Sequence, residues 1–199
     1  MKNNYAPVFD ALERALQKFD IDFYLIGAQS RDVWTNHLNI EKRITRDIDY
    51  FVLTADRTTW DELNKYLIET EQFERDIKQP YRFYLKELTI DIIPFGGISE
   101  HDEVILHDPR TELSVYGCRE VTREAVMIHG KYRVITLPGL CILKLIAFHE
   151  NPNLRIKDWQ DFLMIMTNYH EISGAQLFDG EYDDLIAGDF ESTSPHREC

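Results

Sequence analysis

The spacing of apolar positions changes several times along the chain, and each change marks an element. Over residues 7–19, Val8, Leu12, Ala15, Leu16 and Phe19 recur at helical intervals, with Pro7 tolerated in the first turn. Residues 22–26 read as a short buried strand that stops at Gly27, and residues 28–38 as a helix carrying Val33, Trp34 and Leu38. Residues 46–53 alternate, Ile48, Tyr50 and Val52 against Asp47, Asp49 and Phe51, which is the period of a strand. A helix capped by Thr58 or Thr59, with Asp61 and Glu62 in its first turn, is expected to run to Thr70. Residues 81–85 and 88–94 predict two more strands, the second closed by Pro94 and the Gly96-Gly97 turn. Short strands follow over 100–136, the clearest at 131–136. Pro138 then opens a strongly apolar helix to His149, and residues 155–169 predict another that packs through Trp159, Phe162, Leu163 and Met166.

Composition narrows this picture. With 199 residues, 44% of them hydrophobic, the chain can bury a substantial core as one compact domain or as a domain with a helical appendage. The pattern divides it into an α/β core over 1–136, a helical portion over 137–190 packing on that core, and a polar tail, 191–199, expected to be disordered. Net charge is −13, and residues 171–199 contribute eight acids against one base, Arg197. An acidic surface argues against broad, non-specific nucleic-acid binding. No apolar run is long enough to span a membrane, and the first residues lack the apolar core of a signal peptide. Three widely spaced cysteines, Cys118, Cys141 and Cys199, fit a reducing compartment, so a cytoplasmic location is expected.

The candidate chemistry lies in a few polar residues set among apolar ones. Residues two apart in a strand share a face, so Asp47 and Asp49 project side by side, roughly 6.6 Å apart along the axis. Either they lie on the solvated face of an edge strand, or a divalent cation such as Mg²⁺, which takes one or two carboxylates plus substrate phosphates, relieves their repulsion. Asp91 is flanked by Ile90 and Ile92, and a carboxylate in a buried strand needs an arginine partner or a cation. Gly27, closing a strand ahead of a helix, marks either an ordinary turn or an anion site built from backbone N–H groups. A basic loop over 39–45, with Lys42 and Arg43 and with Arg46 adjoining, leads into the Asp47 strand. Lys144 is the single charge in the apolar helix before its terminal histidine. It either reaches a cleft to meet phosphate or pairs with an acid, and Asp158 and Asp161, three apart, are placed to hold it or Arg155. The phosphate-binding glycine motifs and the His-Glu-x-x-His zinc motif are missing. The seven histidines are scattered, and Cys118 and Cys141 read as small buried hydrophobes.

Taken in order, Ile26-Gly27-Ala28 before a helix, Asp47-Ile48-Asp49 in one strand and Ile90-Asp91-Ile92 in a later one resemble the nucleotidyltransferase superfamily of DNA polymerase β-like folds. Lys144-Leu145-Ile146-Ala147 is similar to the Lys-x-x-Ala motif, and the stretch from Arg155 through Lys157 and Asp158 to Asp161 to the Arg-x-Lys-Asp-x-x-Asp motif. Both motifs belong to AbiEii-type nucleotidyltransferases, among them toxins of abortive-infection and type IV toxin–antitoxin systems. The resemblance covers residues 20–167 and departs from the pattern at Ala28, where a second Gly or Ser is usual. Gly27-Ala28-Gln29-Ser30-Arg31-Asp32 also resembles the Gly-Gly-x-Val-Arg-Asp turn of tRNA nucleotidyltransferases and bacterial poly(A) polymerases, although no basic RNA-binding tail accompanies it.

The resemblance implies an α+β fold, a small mixed sheet flanked by helices with a C-terminal helical portion. It implies transfer of a nucleoside monophosphate from an NTP to an acceptor hydroxyl of RNA, protein or a small molecule. Asp47, Asp49 and Asp91 would be the catalytic and metal-holding residues, with two Mg²⁺ ions about 3.5–4 Å apart. Gly27, Ala28, Ser30, Arg31 and Lys144 would contact the nucleotide, with either Ser30 or backbone N–H groups serving in place of the missing hydroxyl at Ala28. Arg155, Lys157, Asp158 and Asp161 would support them, the two acids by orienting Lys144 or Arg155. An antitoxin protein is an expected partner. A non-catalytic module of the same fold and, ranked lower, a metal-dependent nuclease are the alternatives.

Overall fold

The computed structural model describes residues 5–35, 47–128 and 132–174, with only the backbone at Tyr132. The basic loop, residues 36–38 of the helix expected after Gly27, and the polar tail all lie outside them.

Chain order runs α1 (Ala6–Phe19), β1 (Phe23–Ile26), α2 (Gly27–Thr35), β2 (Asp47–Thr54), α3 (Arg57–Glu69), β3 (Glu74–Arg75), β4 (Arg82–Leu85) and β5 (Leu88–Gly96). Then follow β6 (Glu103–Leu106), β7 (Thr111–Ser114), α4 (Cys118–Arg123), β8 (Val126–Ile128), β9 (Tyr132–Val134), α5 (Leu137–Glu150), α6 (Ile156–Thr167) and α7 (Tyr169–Ser173). Among the described residues seven strands form one mixed sheet in the order β3-β4-β5-β2-β1-β9-β8, and β6 and β7 form a separate hairpin.

The Asp-x-Asp strand β2 is therefore not an edge strand: it sits between β5, parallel to it, and β1, antiparallel. Its pleat sorts its side chains. Ile48, Tyr50 and Val52 are buried, and Tyr50 meets Phe9 of α1 and Phe23 edge to face. Asp47 and Asp49 project from the opposite face, as alternation requires. α1 packs on α3, and α2 packs on β1, β2 and α5.

Several boundaries differ from expectation for identifiable reasons. The cap of α3 is Asp56, whose carboxylate accepts from the Thr59 N–H at 2.8 Å and the Thr59 hydroxyl at 2.9 Å, so Thr59 is a donor to the cap. β5 continues through Pro94. The Ile92 N–H donates to Tyr81 on the β4 side, and the nitrogen two residues on faces the same side, beyond the start of β4, where no ladder bond is forfeited. The turn after Gly117 begins α4, and the hairpin β6–β7 precedes it; neither declares itself in the short 100–136 pattern.

The packed face of α6 is also different. Asp161 and Ile165 are its buried residues, flanked by half-buried Asp158 and Phe162, while Leu163 and Met166 are exposed. These inward positions keep helical spacing, but the stripe is partly carboxylate. The same inversion occurs on α5, where Lys144 is buried and Ile142 and Leu145 are exposed. A buried Lys on one helix and buried Asp residues on the next explain each other.

Candidate active site

The register across the sheet builds the site. Asp49 lies opposite Asp91 on β5, Asp91 lies opposite Arg82 on β4, and Asp49 lies opposite Ile26 on β1. Residues paired in register share a face and stand about 4.8 Å apart from strand to strand. Arg82, Asp91, Asp49 and Ile26 thus form one row across four adjacent strands. All four line a cleft of about 470 Å³. Gly27, Lys144, Leu143 and Ala147 also face it, as do Leu113 of β7 and Tyr116 just after the β6–β7 hairpin. That hairpin is tied down by the Ser114 hydroxyl, which donates to Glu150 of α5 at 2.6 Å, and by Arg57, which donates to the Ile105 carbonyl.

Gly27 begins α2 at the end of the row with φ +65°, and a Cβ there would lie 2.1 Å from Asp49 Oδ2. The glycine thus has two reasons to be there, a left-handed backbone and the room that Asp49 needs. Gly27→Ala is expected to destabilise the protein by about 1–2 kcal/mol for the backbone alone and to displace Asp49. Thermal melting and nucleotide titration check both effects; an unshifted melting temperature would mean that the turn relaxes freely.

Asp49 is the electrostatic centre of the cleft. Desolvation first, and then the neighbouring Asp91 and Asp47 carboxylates, push its pKa up to about 7 against the opposing pull of Lys144 and Arg82. Asp47 sits two residues earlier, at the exposed start of the same face. Asp91 is held by Arg82: Nε donates to Oδ1 and Nη2 to Oδ2, both at 2.7 Å. This ion pair raises the Arg82 pKa well above its usual value. Arginine as the partner of Asp91 was one of the two possibilities open in the sequence, but Arg82 itself was not singled out there.

The charges behind the cleft form a buried network. Lys144 Nζ donates to Asp158 Oδ1 at 3.0 Å and to Asp161 Oδ2 at 2.8 Å. Asp161 Oδ1 accepts from Arg31 Nη1 at 2.8 Å, and Arg31 also pairs with Asp32. Arg31 is 1% exposed and Lys144 5%. Arg155 approaches Asp158 at 3.6 Å from the exposed side, and Lys157 is exposed.

Among the residues expected to contact nucleotide, Gly27 and Lys144 face the cleft. Ala28 is buried, Arg31 is committed to the network, and the Ser30 hydroxyl donates to the Ile135 carbonyl at 3.3 Å. Among the described residues no three His, Cys, Asp or Glu side chains are grouped as a ready metal cage. The donor set nevertheless fits a hard cation. Mg²⁺ needs one or two carboxylates with phosphates completing its shell, and Asp49 is a carboxylate short of positive charge.

A mixed sheet bearing this carboxylate row, with a helix starting beside it and further helices flanking the sheet, is the nucleotidyltransferase fold. It is shared with the crystal structure of ANT(2'')-Ia in complex with adenylyl-2''-tobramycin, which is 12% identical over 81% of this chain and 87% of that one, with a TM-score of 0.51. An antigenic nucleotidyltransferase-like protein from Paracoccidioides brasiliensis has the same fold, 14% identical over 78% of this chain and 72% of that one, at a TM-score of 0.51. At the level of sequence, no family model and no curated protein matches the chain. No described helix is long and apolar enough to cross a membrane.

Proposed function

We propose that the cleft transfers a nucleoside monophosphate from an NTP to an acceptor hydroxyl. The observation that carries this reading is Asp49, set in register beside Asp91 and against Gly27, with its pKa lifted to about 7 by burial and by two neighbouring acids. A structural carboxylate would be paired; this one faces a cleft large enough for a nucleotide.

In this mechanism the acceptor oxygen forms a bond to the α-phosphorus as the bond from that phosphorus to the β-phosphate's bridging oxygen breaks, releasing pyrophosphate. Asp47 and Asp49, with Asp91, would hold Mg²⁺, which when bound supplies neutralisation of the phosphate charge and acidification of the hydroxyl. Asp91 would favour loss of the hydroxyl proton. Gly27 keeps the start of α2 close to Asp49, so that the helix N-terminus offers backbone N–H groups and partial positive charge to the β- and γ-phosphates. Lys144 adds a fixed positive charge from behind, oriented by Asp158 and Asp161.

The Lys144–Ala147 and Arg155–Asp161 motifs support an AbiEii-type assignment within this fold, with a toxin-like role and an antitoxin partner. The adenylylated tobramycin in ANT(2'')-Ia supports a small-molecule hydroxyl among the acceptor classes. A non-catalytic module of the same fold is the competing reading, favoured by the Arg82 clasp on Asp91 and the pairing of Lys144.

Incubation of the protein with each NTP labelled at the α-phosphate and Mg²⁺, alone and with tRNA, aminoglycosides or cell extract, separates these readings. Label is expected on an acceptor, with pyrophosphate released in equal amount. Degraded RNA would indicate a nuclease, and absence of both label and degradation would leave the binding module standing.

A further inference from the structure

We propose that Arg82 is a triphosphate-binding residue that Asp91 holds in reserve: on nucleotide arrival its guanidinium leaves the Asp91 carboxylate for a phosphate, freeing Asp91 to act with Asp49. The inference rests on the nucleotidyl-transfer reading and adds the residue that couples nucleotide binding to assembly of the carboxylate row.

Four observations carry it. Both Asp91 oxygens are taken by the two prongs of one guanidinium, at 2.7 Å each. The clasped pair lies at the cleft, with the Arg82 side chain 28% exposed, so a ligand can reach it. Of the other described cations at or behind the cleft, Arg31 is buried in its pairs with Asp32 and Asp161, Lys144 lies between Asp158 and Asp161, and Arg155 stands at the start of α6, off the strands of the row, leaning to Asp158 at 3.6 Å. Finally, Asp91 is the acid in register with Arg82 and the one that holds both prongs of its guanidinium, Asp47 and Asp76 acting only through longer-range attraction.

The chemistry of the exchange is favourable. Phosphate presents the same two-oxygen acceptor as carboxylate, and a guanidinium can leave one fork for the other without losing its paired geometry. Asp91 has a reason to keep Arg82 until then, because a freed carboxylate one strand spacing from Asp49 would repel it. Release is more favourable when positive charge arrives at the row together with the phosphates. Cation and triphosphate should therefore each assist the other's binding through Arg82, a coupling that must be reciprocal.

The full chain and its Arg82→Gln and Arg82→Lys variants test this with two probes, Mn²⁺ alone followed by the electron spin resonance of the free ion, and inorganic tripolyphosphate alone in EDTA followed by calorimetry. Arg82→Gln is expected to bind Mn²⁺ about tenfold more tightly, because its competitor for Asp91 is gone, and tripolyphosphate about tenfold more weakly. Arg82→Lys keeps the charge opposite Asp91 and hence the fold, but not the fork. It should shift both affinities in the same directions by smaller factors, so it decides the matter if the glutamine variant does not fold. Unchanged affinities for both probes in a wild type and variants that still bind Mg·NTP would overturn this inference and spare the transferase reading. A wild type that binds neither probe nor Mg·NTP would overturn both.

Discussion

Asp161→Ala should lower the stability of the protein by about 3 kcal/mol, a drop of roughly 6–12 °C in melting temperature for a chain of this size. Its two oxygens accept from Arg31 Nη1 and Lys144 Nζ, each at 2.8 Å, and both cations are almost wholly buried. Removing the shared acid leaves two buried charges short of a partner, which costs more than the pair itself contributes. The figure is set at the low end of what breaking a buried pair costs, because Arg31 retains Asp32 and Lys144 retains Asp158. Since Arg31 belongs to α2, Lys144 to α5 and Asp161 to α6, the loss should loosen the helical portion from the sheet. Hydrogen exchange across α5 and α6 would show it as faster opening. A melting temperature within about 2 °C of wild type would mean that these cations are solvated and the network is weak.

The second large effect has the opposite sign. Asp49→Asn should stabilise the ligand-free protein at pH 8. The folded protein holds the Asp49 proton up to about pH 7, whereas the unfolded chain releases it near pH 4. Because the folded pKa is the higher one, ionising Asp49 opposes folding. The penalty builds as pH rises from about 4 to about 7 and is complete above that. Its upper figure is about 4 kcal/mol, and a gain of about 2–4 kcal/mol is expected for the asparagine variant at pH 8, with little gain at pH 4. Denaturant titrations of both proteins at the two pH values check it. Equal stability at pH 8 would mean that Asp49 is already paired in solution. The expected trade, stability gained as ligand binding is lost, is that of a side chain retained for its chemistry.

Much of this site is legible in the order of residues, and the illegible part has a common cause. A strand period with acids two apart places Asp47 and Asp49 on one face whatever the fold, and Ile90 and Ile92 show that Asp91 lies in a buried strand. Whether those acids meet depends on which strands are neighbours, and periodicity carries no information about that. The parallel register that sets Asp49 beside Asp91 is a tertiary fact.

Arg82 was closer to legible. Leu85 pairs with Leu88 across the two-residue turn Lys86-Glu87, and counting outward from that turn puts Arg82 opposite Asp91. The turn lacks the Asn-Gly or Asp-Gly signature that would mark it as a tight hairpin, which is why the count does not suggest itself. Lys86 takes the left-handed conformation there without being glycine. Apolar residues mark the buried face of α6 only in part: Phe162 packs on the core and Trp159 stacks on Phe148 and Phe162. Leu163 and Met166 turn outward because the inward stripe is needed for Asp158 and Asp161 to reach Lys144. The same reasoning hides Ser30: its hydroxyl, read as facing phosphate, is satisfied by Ile135 in the core.

Nucleotidyl transfer at this cleft depends on one cluster, the carboxylate row beside Gly27. Its most direct test is a calorimetric titration of the wild type and of Asp49→Asn with a non-hydrolysable NTP analogue, with Mg²⁺ and with EDTA. Saturable binding that requires Mg²⁺ in the wild type and disappears in a folded Asp49→Asn variant is the predicted result. Equal binding by both proteins, or none by the wild type, would contradict the assignment of this cleft to nucleotidyl transfer.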